Sequence, residues 1–401
     1  MALIAIDEAH SLVLEDLTPL DAEAVPFADA ANRVLSASIS CDRPMPPFDR
    51  SMMDGFALRS QDLQTLPTSL RVIAQVMAGG SYEGEVGPGE AVRIMTGAPV
   101  PAGADAVQMI ENTRCDSPDT VTVLASVPAG RHLARQGSEW ESGQVVLNAG
   151  AVLTAARLGV CAMVGQRAVM VHRTPRVVIL STGDELVEIG DSPGPYQIRE
   201  SNRTSVGQLV QSAGGDVVYT AIVPDDEAAT CEAIRNALAH ADVLLMSGGI
   251  SKGDRDLVAP CLQKEGVETV FHGVCIKPGK PLFFGRAGEK LVFGLPGNPV
   301  SSYVTARLFV LPAIRRLLGW AQGLEPVVTM TLRSSVAATG NRPWLKPATV
   351  VWGKGVRVLD TAGSADLSGF AQGNAMVWLP ANSGPFSMGD PVQVLVGAMT
   401  P

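Results

Sequence analysis

Residues 176–182 read Arg-Val-Val-Ile-Leu-Ser-Thr, and the reading of this run decides the fold. It is continuously apolar rather than alternating, and it stops at Gly183-Asp184-Glu185. Three later runs share the form: DVVYTAIV at 216–223, ADVLLMS at 241–247 and LVFGL at 291–295. Between and after them lie SNRTSVGQLVQSAG, DEAATCEAIRNALAHA, DLVAPCLQKEG and NPVSSYVTARLFVLPAIRRLLG, all helix-like in their apolar spacing. Continuous apolar strands separated by amphipathic helices predict a mostly parallel sheet with helices on both faces, here over 173–320.

The flanks differ in character. Within residues 1–40, the stretch 5–36 reads as helical, from Ile6 through Leu14 and again from Asp29 to Leu35, with a break at Pro19. Residues 41–142 carry MPPFDRS, AGGSYEGEVGPGE, TGAPVPAGADAV and TVTVLASV, a turn-rich β region. Residues 143–172 return to a helical pattern in VLTAARLGVCAMVG, so one domain is read as interrupted by another. Residues 321–401, with VVTMTLRSS, TVVWGKGVRVLD, AMVWLP and PVQVLVG, predict a small all-β domain. The expected class is a multi-domain α/β protein with a β-rich insert.

Composition narrows the function. The 401 residues carry a formal charge of -9 and only 5% aromatics, which disfavours nucleic acid and anionic membranes as partners. No apolar run reaches a membrane span, and the N-terminus lacks the basic start of a signal peptide, so cytoplasm is the default. The six cysteines show no CxxC spacing and read as free thiols. The five histidines are dispersed, and there is no GxSxG, Walker A or GxGxxG string.

In an open α/β sheet, ligands bind beyond the carboxyl ends of the strands. Those ends read Ser181-Thr182-Gly183-Asp184-Glu185, Pro224-Asp225-Asp226, Ser247-Gly248-Gly249 with Ser251, Asp254 and Asp256 beyond, and Leu295-Pro296-Gly297-Asn298-Pro299. Glycines let backbone N–H groups approach an oxyanion, so Ser247-Gly248-Gly249 suits a phosphate. Asp225 and Asp256 suit Mg²⁺, a hard cation that prefers carboxylates; equally, Asp225 and Asp226 suit capping of the next helix. Ile276-Lys277-Pro278-Gly279-Lys280-Pro281 sets two lysines close together on a rigid turn in an acidic chain, which points to a bound anion. Pro46 to Gly55 and Arg93 to Pro99 read from their residues alone as polar loops.

The strings FDRSMMDGFAL, RIMTGAPVP, STGDEL, SGGISKGDRD, IKPGKP and GLPGNPVS run in order between residues 48 and 302. In them the chain resembles the MoeA family of molybdopterin molybdenumtransferases, which includes the E domains of gephyrin and of plant Cnx proteins. The resemblance implies four domains: I (1–40 with 143–172), II (41–142), III (173–320, like the related MogA-type molybdopterin adenylyltransferase) and IV (321–401, a β-barrel). It also implies an elongated homodimer that joins molybdate to adenylylated molybdopterin, with Mg²⁺ or a similar ion, and releases AMP. Carried over by position, Asp184, Glu185, Ser247, Gly248, Gly249, Ser251, Gly294 to Pro299 and Ser301 line the pterin-nucleotide pocket. Asp225 and Asp256 hold the ion, and with Glu185 and the lysines they form the catalytic set. Lys277, Lys280, Pro281, Arg342 and Ser364 hold molybdate. Asp54 and Thr96 act on the substrate site, from the partner subunit. Contacts with the adenylyltransferase and with molybdenum enzymes are further expectations. The chain departs from the family at Gly137-Ser138-Glu139, at Arg135, which stands alone, and at Gly273. The competing expectations are adenylyl transfer and a gephyrin-like scaffold.

Overall fold

The structure, a computed structural model, describes residues 3–250, 257–321 and 323–397. The chain forms two compact units. One comprises Met1–Ser36, Gly150–Leu153 and Ala168–Pro401; the other comprises Ala37–Ala149 and Thr154–Arg167.

In the first unit a six-stranded sheet runs in the order Asp216–Val223, Arg176–Thr182, Val243–Ser247, Lys290–Leu295, Phe283–Ala287, Glu268–His272. Side chains alternate across a strand, and both faces here are covered. Val177 and Ile179 join a core with Val206, Val210, Phe293 and Phe309, while Val178 and Leu180 join another with Ile234, Ala237 and Leu262. This two-sided burial is why the strands read as unbroken apolar runs. Each large side chain so enclosed contributes about 1.5–3 kcal/mol.

The sheet is less parallel than expected. The first four strands pair in parallel, but Phe283–Ala287 pairs antiparallel to both of its neighbours. The connection from His272 to Phe283, which holds IKPGKP, therefore turns at the same edge where the parallel strands end. The two added strands are short, and one contains Gly285, so their sequences gave a weak strand signal.

The N-terminal expectation needs correction. α-Helix occupies Ile6–Leu14 and a single 3-10 turn Phe27–Asp29; Ala22–Pro26 is a strand paired antiparallel with Ala168–His172. Asn32 adopts φ 63°, a left-handed conformation that stops a helix across 29–35. The return helix is likewise shorter than its motif, Ala155–Met163.

The stretch after Asn298 forms helix Pro299–Thr305, a π turn at Ala306–Val310 and helix Leu311–Leu317. Pro312 has no N–H to offer the carbonyl of Leu308. His10 reaches that carbonyl instead through Nε2 at 2.9 Å, with its ring 4.8 Å from Phe309. The irregular turn thus has its freed acceptor satisfied.

A five-stranded antiparallel sheet follows, ordered Val327–Thr331, Pro391–Val396, Ala375–Leu379, Trp344–Val351, Gly355–Val358. A bridge between Leu332 and Val356 links its outer strands and curls it around Val350, Val377 and Val394.

The second unit holds a six-stranded mixed sheet, ordered Ala106–Met109, Gly55–Leu58, Glu90–Ile94, Thr68–Val76, Thr120–Val123, Thr113–Ser117. Phe56 and Leu58 face one core, Ala57 the other, as alternation requires. No described helix is long and apolar enough to cross a membrane.

Candidate functional site

The parallel strands deliver their polar ends to one edge. Gly248 and Gly249, with φ 90° and 57°, press against the end of Arg176–Thr182. A Cβ on Gly248 would lie 2.5 Å from the Thr182 carbonyl oxygen, and one on Gly249 would lie 2.8 Å from Thr182 Oγ1. Glycine is needed there for both backbone conformation and space. Ser247 is buried, Pro296 is buried, and Gly297 and Asn298 are exposed. Asn202 opens helix Asn202–Ser212 and donates through Nδ2 to Ser247 Oγ at 2.7 Å and to the Gly297 carbonyl at 2.8 Å. It ties two strand-end loops together, and sequence reasoning missed it; an Asn just after Arg199-Glu200 was the available signal. Asn202 Oδ1 and Thr182 Oγ1 are buried without a partner, two polar atoms suited to a bound molecule.

The carboxylates divide their roles. Asp226 caps helix Glu227–His240, accepting from the Ala229 N–H at 2.8 Å. Asp184 accepts from the Asp225 N–H at 3.1 Å, so Asp184 and Asp225 stand together at neighbouring strand ends. Glu185 is exposed beside them. Ser251, Asp254 and Asp256 lie outside the described residues. Among the described residues no cluster of three or more His, Cys, Asp or Glu could hold a metal. Asp184 and Asp225 each carry a hard carboxylate donor, the chemistry a Mg²⁺ site would use.

The second half of the site lies between IKPGKP and the C-terminal sheet. Lys277, Lys280, Pro281, Ser301, Arg342 and Ser364 all line one cavity of about 400 Å³. They come from four separate stretches, and tertiary structure brings them together. Lys277 is locked to the C-terminal sheet: its N–H donates to Pro343 O at 2.9 Å, and its carbonyl accepts from Leu345 N–H at 2.8 Å. Arg342 Nη1 donates to Ile276 O at 3.0 Å, and Asn298 Nδ2 donates to Ser364 Oγ at 3.0 Å. Trp344 and Lys346 line the same cavity and were not found from sequence. Burial lowers the Lys346 ammonium below its ordinary range, Asp360 opposes this, and Lys277 adds to it. A larger cavity, about 600 Å³, lies between Asp216–Val223 and Glu227–His240; none of the sequence-predicted site residues lines it.

In the second unit, Asp54 Oδ1 accepts from both the N–H and the hydroxyl of Thr96, each at 2.7 Å. These two bonds, the backbone one foremost, hold the Asp54 carboxyl below its usual range. Among the ion pairs of the same unit are Arg50 with Glu139 at 2.7 Å and Arg135 with Asp49 at 2.5 Å.

Fold and site define a multi-domain α/β protein with polar strand ends and a cation-lined cavity at one sheet edge. Residues 4–165 match the family described as MoeA N-terminal region (domain I and II), and residues 178–316 match the one described as Probable molybdopterin binding domain. A molybdopterin molybdenumtransferase of Haemophilus influenzae is 35% identical over 98% of this chain and 98% of its own length. One of Nostoc sp. is 36% identical over 94% of this chain and 88% of its own length. The crystal structure of the molybdopterin biosynthesis moeA protein of Pyrococcus horikoshii superposes with a TM-score of 0.87 at 32% identity, covering 98% of this chain and 100% of that one. The chain belongs to the MoeA family of molybdopterin molybdenumtransferases.

Proposed function

We propose that this protein joins molybdate to adenylylated molybdopterin, giving molybdenum cofactor and AMP. Its family makes it a transferase at a late step of molybdenum cofactor biosynthesis. The observation that carries the finer reading is the cavity in which Lys277, Lys280 and Arg342 converge. An acidic protein that gathers cations in one place gains most if an anion neutralises them. The tetrahedral molybdate dianion fits that need. The pterin nucleotide then lies along the strand ends, at Asp184, Glu185, Ser247 to Gly249 and Pro296 to Pro299, with Ser251 completing the set.

Electrostatics dominates the mechanism. Lys277, Lys280 and Arg342 neutralise and orient the oxyanion, while Pro281 and Ser364 shape its seat. The strand-end glycines bring backbone donors to the phosphates. A divalent ion held by Asp225, Asp256 and neighbouring Asp184 would polarise the pyrophosphate. Glu185 stands beside that position. Binding of the AMP moiety supplies positioning energy.

The four-domain layout, with domains I (1–40 and 143–172), II (41–142), III (173–320, MogA-like) and IV (321–401, a barrel), belongs to the same reading. So do a cytoplasmic homodimer whose Asp54 and Thr96 serve the partner's site, and contacts with the adenylyltransferase and molybdenum enzymes.

The test is AMP release from purified adenylylated molybdopterin with Mg²⁺, with and without molybdate, on the wild type, Lys277→Ala and Asp256→Asn. Molybdate-dependent release that collapses in Lys277→Ala supports the reading. Binding without molybdate-dependent release supports a scaffold. Undiminished release in Asp256→Asn removes its role at the ion.

A further inference from the structure

Lys346 is unusual among the lysines of this chain. It lies on strand Trp344–Val351, in register with Val377, and its side chain is only 12% exposed. Its nearest carboxylate, Asp360, is 3.9 Å away and fully exposed. That pair is too open to water to compensate a largely enclosed ammonium.

Nor does the cavity it faces help. Its described lining contains Lys277, Lys280, Arg342 and Lys346 but no carboxylate. Lys277 and Lys346 also share one aromatic neighbour: their Nζ atoms lie 4.0 Å and 4.5 Å from the centroid of the Trp344 ring. The ring's negative face attracts each ammonium and so holds both in place, although the two repel each other. Lys277 is exposed at the cavity while Lys346 is enclosed; holding the enclosed ammonium beside a second like charge is costly when nothing lies between them, and favourable when a doubly charged anion does.

We propose that Lys346 is a direct ligand of the tetrahedral oxyanion, paired with Lys277 through the Trp344 ring. Each ammonium has three donors that rotate freely, and a tetrahedral dianion presents oxygens on every side. Arg342, held by the Ile276 carbonyl, supplies a fixed direction. Lys346 thereby raises affinity for dianions over monoanions of similar shape. The inference rests on the oxyanion reading of this cavity.

The test is calorimetric titration of molybdate and of tungstate into the full chain without nucleotide. It uses the wild type, Lys277→Met, Lys346→Met and Lys346→Arg, with circular dichroism as the folding control. Loss of a charge-assisted hydrogen bond predicts affinity about tenfold weaker or worse in Lys346→Met, with most of it restored in Lys346→Arg. Affinity for adenylylated molybdopterin stays unchanged in Lys346→Met, which a general structural defect would not allow. If Lys346→Met fails to fold, Lys346→Gln takes its place, with the same loss expected. Wild-type affinity in the folded Lys346 variant, together with loss in Lys277→Met, overturns this proposal and leaves the proposed function standing. A wild type that binds neither oxyanion overturns both.

Discussion

Lys277 stands in register with Trp344, and its ammonium lies 4.0 Å from the centroid of that ring. The backbone bridge and the ring contact together fix Lys277, on the connection at the edge of the α/β sheet, against the C-terminal sheet. Replacing the ring by an aliphatic side chain, Trp344→Leu, keeps the bridge and removes the quadrupole. The expected result is a KM for molybdate raised about 5–30-fold, the equivalent of one desolvated cation–π contact or two exposed ones, with the KM for the pterin nucleotide unchanged. Steady-state AMP release at varied molybdate measures it.

Gly248→Ala should destabilise the fold. The residue has φ 90°, and its new Cβ would lie 2.5 Å from the Thr182 carbonyl oxygen. Strain and overlap together cost about 2–4 kcal/mol. Urea unfolding followed by circular dichroism would show a lower midpoint; an unchanged midpoint would mean that the two strand ends do not press together.

Asn202→Leu removes the donor shared by Ser247 and Gly297. Depriving the buried Ser247 hydroxyl of that donor costs about 1–3 kcal/mol, while the exposed Gly297 carbonyl turns to water. Since both strand-end loops lose their tie, affinity for the pterin nucleotide should fall along with stability, whereas affinity for molybdate should not. Equilibrium binding of each ligand separates the two.

His10 gives stability a pH dependence. Burial, the larger influence, lowers its pKa from 6.5, while the bond to Leu308 raises it. The folded protein therefore favours the neutral ring more than the unfolded chain does. The stabilisation is complete above pH 6.5 and is lost as pH falls from there through the folded value. Thermal melts at a series of pH values below 6.5 should show this, and His10→Gln, which keeps a donor but does not titrate, should flatten the trend.

Thr96→Val should raise the Asp54 pKa toward that of an ordinary carboxyl, because the hydroxyl bond is lost while the backbone bond stays. Carboxyl titration by NMR measures it, and the same variant reports whether that carboxylate matters for AMP release.

How much of this was legible beforehand depended on burial and on distance along the chain. Arg176–Thr182 and Val243–Ser247 could be read directly, because strands covered on both faces must be apolar throughout. The residues following them could be read too, since a parallel sheet sends every strand end to one edge. The strand Ala22–Pro26 could not: its partner, Ala168–His172, lies far along the chain, and no local pattern announces such a pairing.

The chain's own text thus determined the α/β sheet, the loops at its edge and, through IKPGKP and its companion strings, the family. Only the tertiary structure decided that Asn202 would join Ser247 to Gly297, and that Trp344 and Lys346 would face Lys277. The reason is physical. Apolar periodicity is a local consequence of burial and is written into each segment, whereas a cavity between 277–281 and 342–346 exists only once two separate sheets have packed together.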